Sequence, residues 1–119
     1  MANYDILTQK IIEGMQERKG HDITVIDMTG IEDASTGTFV VCTGNTKIQV
    51  EALADSVREY VREQAGVKPF NYDGYANSEW IVIDYGSIYA HVFQPMARTR
   101  YNLEELWSDA AIEHIPDIY

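Results

Sequence analysis

The chain has 119 residues, 45% of them hydrophobic, which suffices for one packed core and not for two independent domains. Lys and Arg number 9 against 19 Asp and Glu, a formal net charge of −10, so the long-range field repels nucleic acid and anionic membranes and favours basic protein partners. No apolar run reaches the roughly 18 positions of a bilayer-spanning helix, the opening MANYDILTQK lacks a basic-then-apolar leader, and the single cysteine rules out an internal disulfide.

These features predict one cytoplasmic domain over residues 1–119 with no membrane partner. From Tyr4 to Lys19, Leu7, Ile11 and Met15 recur at every fourth position, the stripe of an amphipathic helix, with Gly20 placed for a left-handed cap. His21 to Met28 reads as a strand, Thr29 to Gly37 as a loop, and Thr38 to Thr43 (TFVVCT) as a second strand that buries Cys42 as an inert thiol. Thr46 with Gln49 has the form of a capping box, and Val50, Leu53, Ala54, Val57, Tyr60 and Val61 form one face of a second helix ending near Gly66. The opposite face carries mixed charges and is assigned to solvent.

VKPFNYDG is a short extended piece between turn formers, and Glu79 to Tyr85 then alternates as a strand. Gly86-Ser87 suits a type II′ hairpin turn that returns the chain along Ile88 to Gln94, where Pro95 ends the strand. Asn102 with Glu105 marks a helix over Leu103 to Trp107. Residues 108–119 are an acidic, weakly patterned tail, either folded back or mobile. The fold class is α/β (α+β): a mixed sheet with packed helices, whose strand order is not readable from the sequence.

A turn at Gly86-Ser87 pairs Tyr85 with Ile88, Ile83 with Ala90 and Ile81 with Val92 on one almost purely apolar side. The other side collects Trp80, Val82, Asp84, Tyr89, His91 and Phe93. Exposed, it is a docking surface; covered by helices, it is core in which Asp84 and His91 bond each other. Asp84 and His91 also lie within diagonal reach for an Asp-oriented general base, with Ser87 or Tyr89 as nucleophile, but no oxyanion or glycine-rich signature accompanies them. His21, His91 and His114 are scattered and CTGNTK lacks the spacing of a phosphate loop, so neither a metal nor a cofactor is expected.

The stretch WIVIDYGSIYAHVFQPMARTRYNLEELWSD resembles the signature of the Iojap family, the ribosomal silencing factors called RsfS. The matching residues are Trp80, Asp84-Tyr85-Gly86, His91-Val92-Phe93, Arg98, Tyr101, Leu103-Glu104 and Leu106-Trp107, and the likeness continues through FVVCTGNTKIQVEALADSV. Ser87, where the family usually has an acid, and Thr36-Gly37-Thr38, where it has Ala-Asp-Tyr, depart from the pattern.

The resemblance implies a nucleotidyltransferase-like core without the catalytic motif, and a protein that binds large-subunit ribosomal protein fourteen, blocks joining of the small and large ribosomal subunits and represses translation. On that implication Asp84 and Glu104 are the charged contacts, and Trp80, Tyr85, His91, Tyr101 and Trp107 are aromatic contacts or their support. Arg98 meets an acceptor or braces Glu104. Two other readings stand beside it: a nucleotidyltransferase-like enzyme using the Asp84/His91 face, and a homodimer hiding that face against a second copy.

Overall fold

The structure, a computed structural model, describes residues 5–31 and 37–119. The helix start expected at Tyr4, most of the loop after Met28 and Thr36 of the Thr36-Gly37-Thr38 departure lie outside them. The first helix, α1 (Ile6–Glu17), is started by Asp5, whose side chain accepts the Thr8 N–H at 2.8 Å. It ends differently from expectation. Lys19, not Gly20, takes the left-handed conformation, with φ 56°. Gly20 is needed for space: a Cβ there would come within 3.1 Å of Leu53 and 3.3 Å of the Cys42 sulfur.

Strand β1 (His21–Asp27) pairs antiparallel with β2 (Thr38–Thr43). Helix α2 (Lys47–Ala65) opens on the expected box, with the Gln49 N–H donating to the Thr46 hydroxyl at 3.0 Å. The reciprocal bond is made one residue early, from the Asn45 N–H to the Gln49 side-chain Oε1 at 2.7 Å. Gly66 closes α2 in the left-handed region, as expected.

The short strand β3 (Asn71–Asp73) leads to β4 (Trp80–Asp84) and β5 (Ile88–Phe93), whose register is the predicted one, Ile81 opposite Val92 and Ile83 opposite Ala90. Positive φ falls on Gly86 and not on Ser87, as a glycine-first hairpin turn requires. Pro95, read from sequence only as a strand end, is the first residue of a helix, α3 (Pro95–Tyr101), preceded by Gln94 in extended conformation. Asn102 then caps α4 (Leu103–Leu106), its side-chain amide reaching Glu105 at 2.7 Å.

The tail folds back. Residues 111–114 form β6 (Ala111–His114) along the free edge of β1, the Ile115 N–H donates to the Ile23 carbonyl at 2.8 Å, and the Tyr119 hydroxyl donates to the Gly20 carbonyl. The sheet order is β3-β4-β5-β2-β1-β6, antiparallel throughout except for the central β2/β5 pair. That parallel pair requires a crossover, which α2 and β3–β4 supply.

Both long helices cover the same side of the sheet. Ile11, Met15, Val50, Leu53, Val57 and Val61 pack on Ile23, Val25, Val40, Cys42, Ile81, Ile83, Ala90 and Val92. The two helices approach closely at Gly14, where an added Cβ would lie 3.0 Å from the Val57 Cα and where the Ser56 hydroxyl donates to the Gly14 carbonyl at 2.7 Å. A valine at position 14 must push backbone from backbone. Gly14→Val is expected to destabilise the protein by about 1–3 kcal/mol, read as a lowered midpoint of urea denaturation with unchanged m-value.

Candidate functional site

Among the described residues, α3 and α4 are the helices that pack on the other side of the sheet, over Ile26, Val41 and Phe93 through Ala97 and Leu103. They are too short to cover it, and aromatic side chains of intermediate exposure finish the surface: Trp80, Phe39, Tyr89 and Trp107. The aromatics form a chain of contacts. Tyr101 packs on Trp80 with ring centroids 4.6 Å apart, Phe39 meets His91 edge-on at 4.4 Å, and Trp107 meets Phe39 edge-on at 6.4 Å. Edge-on and tilted pairs of this kind contribute about 0.5–1.5 kcal/mol each beyond their buried area.

At the centre, the Trp80 indole N–H donates to His91 Nδ1 at 3.0 Å. The imidazole is therefore neutral, with its proton on Nε2. Nε2 is buried and finds no hydrogen-bond partner among the described residues. Burial pushes the His91 pKa down from 6.5 to about 3.

Asp84 makes a different bond, accepting the Gly86 N–H at 2.7 Å and thereby holding the hairpin turn. Asp84 and His91 therefore do not pair, and the oriented general base that the enzymatic reading needs is not assembled. Cys42 is wholly buried, and burial pushes its thiol up to about 12, as expected for an inert side chain.

The α3–α4 hairpin is fastened by Arg98. Its Nη1 donates to the Asp22 carbonyl at 2.7 Å and the Thr43 hydroxyl at 2.9 Å, and its Nη2 to the Thr24 hydroxyl at 3.0 Å and to Glu104 at 3.1 Å. One side chain of α3 thus ties together the start of β1, the end of β2 and the first turn of α4. The Asp22 carbonyl is turned toward it by a left-handed backbone (φ 52°) at the irregularity between His21 and Thr24.

The residues predicted for the site divide by burial. Trp80, Asp84, Trp107 and the exposed Tyr101 lie on the open aromatic side. Tyr85 does not: it falls on the helix-covered side and is buried in the main core, because odd-numbered residues of this strand face α1 and α2. His91 is on the open side but 3% exposed, so it supports Trp80 rather than touching a partner. Arg98 and Glu104 are engaged with each other, so of the two roles considered for Arg98 the structure shows it bracing Glu104 while also meeting acceptors on β1 and β2, and one oxygen of the Glu104 carboxylate is occupied by that pair.

Sequence reasoning missed Phe39 and the exposed Met96 and Leu106 of the hairpin. Phe39 enters the site through the parallel β2/β5 pairing, where it sits opposite Tyr89. No local signal announces such a pairing. Met96 was detectable only once Pro95 was recognised as a helix start, and Leu106, although on the predicted helix, shows its exposure only once the face that α4 buries is known.

The model of the family described as "Ribosomal silencing factor during starvation" (RsfS) matches residues 2–118. The chain is 34% identical over 110 residues to "Ribosomal silencing factor RsfS" of Halalkalibacterium halodurans, covering 92% of each chain. It is also 34% identical over 102 residues to the protein of that name from Haemophilus influenzae, covering 86% of this chain and 98% of that one. A shorter stretch of 78 residues is 32% identical to "Protein Iojap, chloroplastic" of Arabidopsis thaliana, 66% of this chain and 32% of that one. A crystal structure of a Chromobacterium violaceum protein superimposes with a TM-score of 0.82 at 29% identity, covering 98% of this chain and 97% of that one.

Two expectations follow from the geometry. A histidine held neutral in the fold and free to protonate when unfolded leaves stability intact above pH 6.5 and erodes it as pH falls toward about 3, by at most about 1.4 kcal/mol per pH unit. His91→Asn keeps an acceptor for Trp80 but cannot titrate, so its stability curve between pH 6.5 and 4, measured by denaturant unfolding, should be flatter than that of the unaltered protein. Arg98→Met strands the Glu104 carboxylate, one oxygen of which is already buried without a partner among the described residues. It should cost about 2–3 kcal/mol, partly recovered by adding Glu104→Leu, in the same unfolding measurement.

Proposed function

The chain belongs to the RsfS family of ribosomal silencing factors, and we propose that it acts by docking its α3–α4 hairpin and the adjoining aromatic side of the sheet onto large-subunit ribosomal protein fourteen. The bound protein then occupies the surface where the small subunit joins, and translation is repressed by steric exclusion. The mechanism needs a rigid, well-oriented obstacle and no chemical step.

One observation carries this reading: the hairpin presents Met96, Tyr101 and Leu106 to solvent, 78%, 46% and 68% exposed, on a base of stacked aromatics. Large apolar side chains held out on a braced element gain nothing for the fold, and they are what an interface core requires. Tyr101 is anchored from behind by Trp80, which is itself oriented by His91, so it is presented with little freedom to lose on binding. The net charge of −10 favours a basic partner such as a ribosomal protein and steers the encounter.

Met96→Asp and Leu106→Asp alter side chains that the fold does not bury, so they should leave unfolding unchanged. Each is expected to weaken co-sedimentation with purified large subunits about tenfold and to restore subunit joining in a light-scattering assay. Wild-type binding by both variants would remove the hairpin from the interface.

A further inference from the structure

On the opposite side of the sheet, at its β3 edge, the chain carries a feature at odds with its overall charge. Arg58 and Arg62, one turn apart on α2, and Lys68, just past the Gly66 cap, line one open cleft of about 600 Å3. They are three of only nine cationic side chains in the protein. Pro69 and Tyr72 also line the cleft, Tyr72 being 45% exposed, and Phe70, between them in the chain, is 81% exposed. Tyr72 lies opposite Ile83 in the sheet and therefore faces the helix side, away from Trp80 and His91.

The parts differ in what they are free to do. The Arg58 guanidinium lies 3.7 Å over the Tyr72 ring, and it bonds the Tyr75 hydroxyl at 3.4 Å and approaches Asp55 to 3.9 Å. It is a fixture that holds Tyr72 in place. Asp55, one of two acids in the cleft, also accepts the Tyr75 hydroxyl at 2.7 Å and so is largely occupied; Glu59 is the other. Arg62 is exposed and approaches the equally exposed Glu63 at a long 3.9 Å, and Lys68 is exposed. Phe70 rests an edge on Gly86, where a Cβ would meet its ring at 2.9 Å, and leaves most of the ring open.

Two outward cations beside an immobilised tyrosine and an open phenylalanine match the chemistry of unpaired RNA, which offers phosphates to the cations and base faces to the rings. An apolar peptide would have no use for the cations, and an acidic one no use for the rings. We propose that this cleft is a second contact of the docked protein, taking single-stranded RNA of the large-subunit particle with phosphates on Arg62 and Lys68 and a base on Phe70. The proposal rests on ribosomal docking for its biological setting, but not for its test.

The net charge does not oppose it. At physiological salt the screening length is about 8 Å, so a phosphate within the cleft feels chiefly the local cations, while RNA at a distance feels the repulsive whole. The cleft is then weak in free solution and effective once docking by the hairpin raises the local RNA concentration. Such a contact fixes orientation more than it adds affinity.

Titrating a uridine octamer into the isotope-labelled full chain at about 0.15 M salt, followed by NMR, tests the cleft without ribosomes. Shifts should cluster at Arg62, Lys68, Phe70 and Tyr72, and Arg62→Glu with Lys68→Glu should abolish them. Phe70→Ala should weaken them severalfold. On large subunits, the double charge reversal should weaken binding about tenfold and flatten the dependence of log affinity on log salt by about 1.4, the share of two single-strand phosphates. Met96→Asp and Leu106→Asp should keep the octamer shifts while losing the subunit, which separates failure of this cleft from failure of the hairpin reading. No shifts at millimolar octamer, shifts on the α3–α4 side, or equal shifts with octaglutamate would overturn the proposal.

Discussion

Both long helices lie on one side of the sheet, and the character of the other side follows from that constraint. A six-stranded sheet with two apolar sides needs cover on both. After α1 and α2 are used, α3 and α4 are the helices left for the second side, and together they are shorter than α2 alone. They bury Phe93 and Val41 but leave the β4–β5–β2 region to be closed by its own aromatic rings. A ring packed on its neighbours at 4.4–6.4 Å can stay half in water without an aliphatic core behind it. The surface is thus ordered enough to be structural and apolar enough to bind.

Two polar devices keep this incomplete layer rigid. Within the sheet, the Trp80–His91 bond fixes the indole from below and holds the imidazole in one neutral tautomer. Above the sheet, Arg98 does the corresponding work for the hairpin, satisfying two hydroxyls, one backbone carbonyl and one carboxylate with two nitrogens. A lysine could not replace it, since an ammonium presents a single point rather than a planar fork. Because Tyr101 follows Arg98 by less than one helical turn, the clamp that seats α3 also sets where Tyr101 meets Trp80.

Much of this was legible in the sequence wherever the determining signal is local. The capping pairs Thr46/Gln49 and Asn102/Glu105, the Gly66 cap and the Gly86 turn each need only a few adjacent residues, and the turn in turn fixed the β4/β5 register. The resemblance of residues 80–107 to a family signature pointed to the segment for which docking is proposed, and that segment holds both the indole platform and the hairpin. What local pattern could not carry was anything decided by distant packing. Tyr85 alternates as neatly as Trp80, and only the placement of both helices on one side buries the first and half-exposes the second. Gly20 looks like a cap and is in fact a space requirement imposed by Leu53 and Cys42. The strand at 111–114 has no strong periodicity of its own and forms because the β1 edge offers it a ladder.

Charge operates on two length scales in this molecule. The −10 total acts over distances longer than the screening length and decides which partners approach, favouring basic protein over nucleic acid. Within contact distance, individual groups decide instead: Asp84 is committed to the turn, and on the α3–α4 hairpin Glu104 is engaged by Arg98 and Glu105 by the Asn102 amide. On the proposed docking, attraction toward a basic partner comes from the field as a whole, while the fit is left to Tyr101 and its exposed neighbours. Separating the two in this way lets the encounter be fast without requiring that any one ion pair be desolvated at the interface, a step whose cost often cancels its gain.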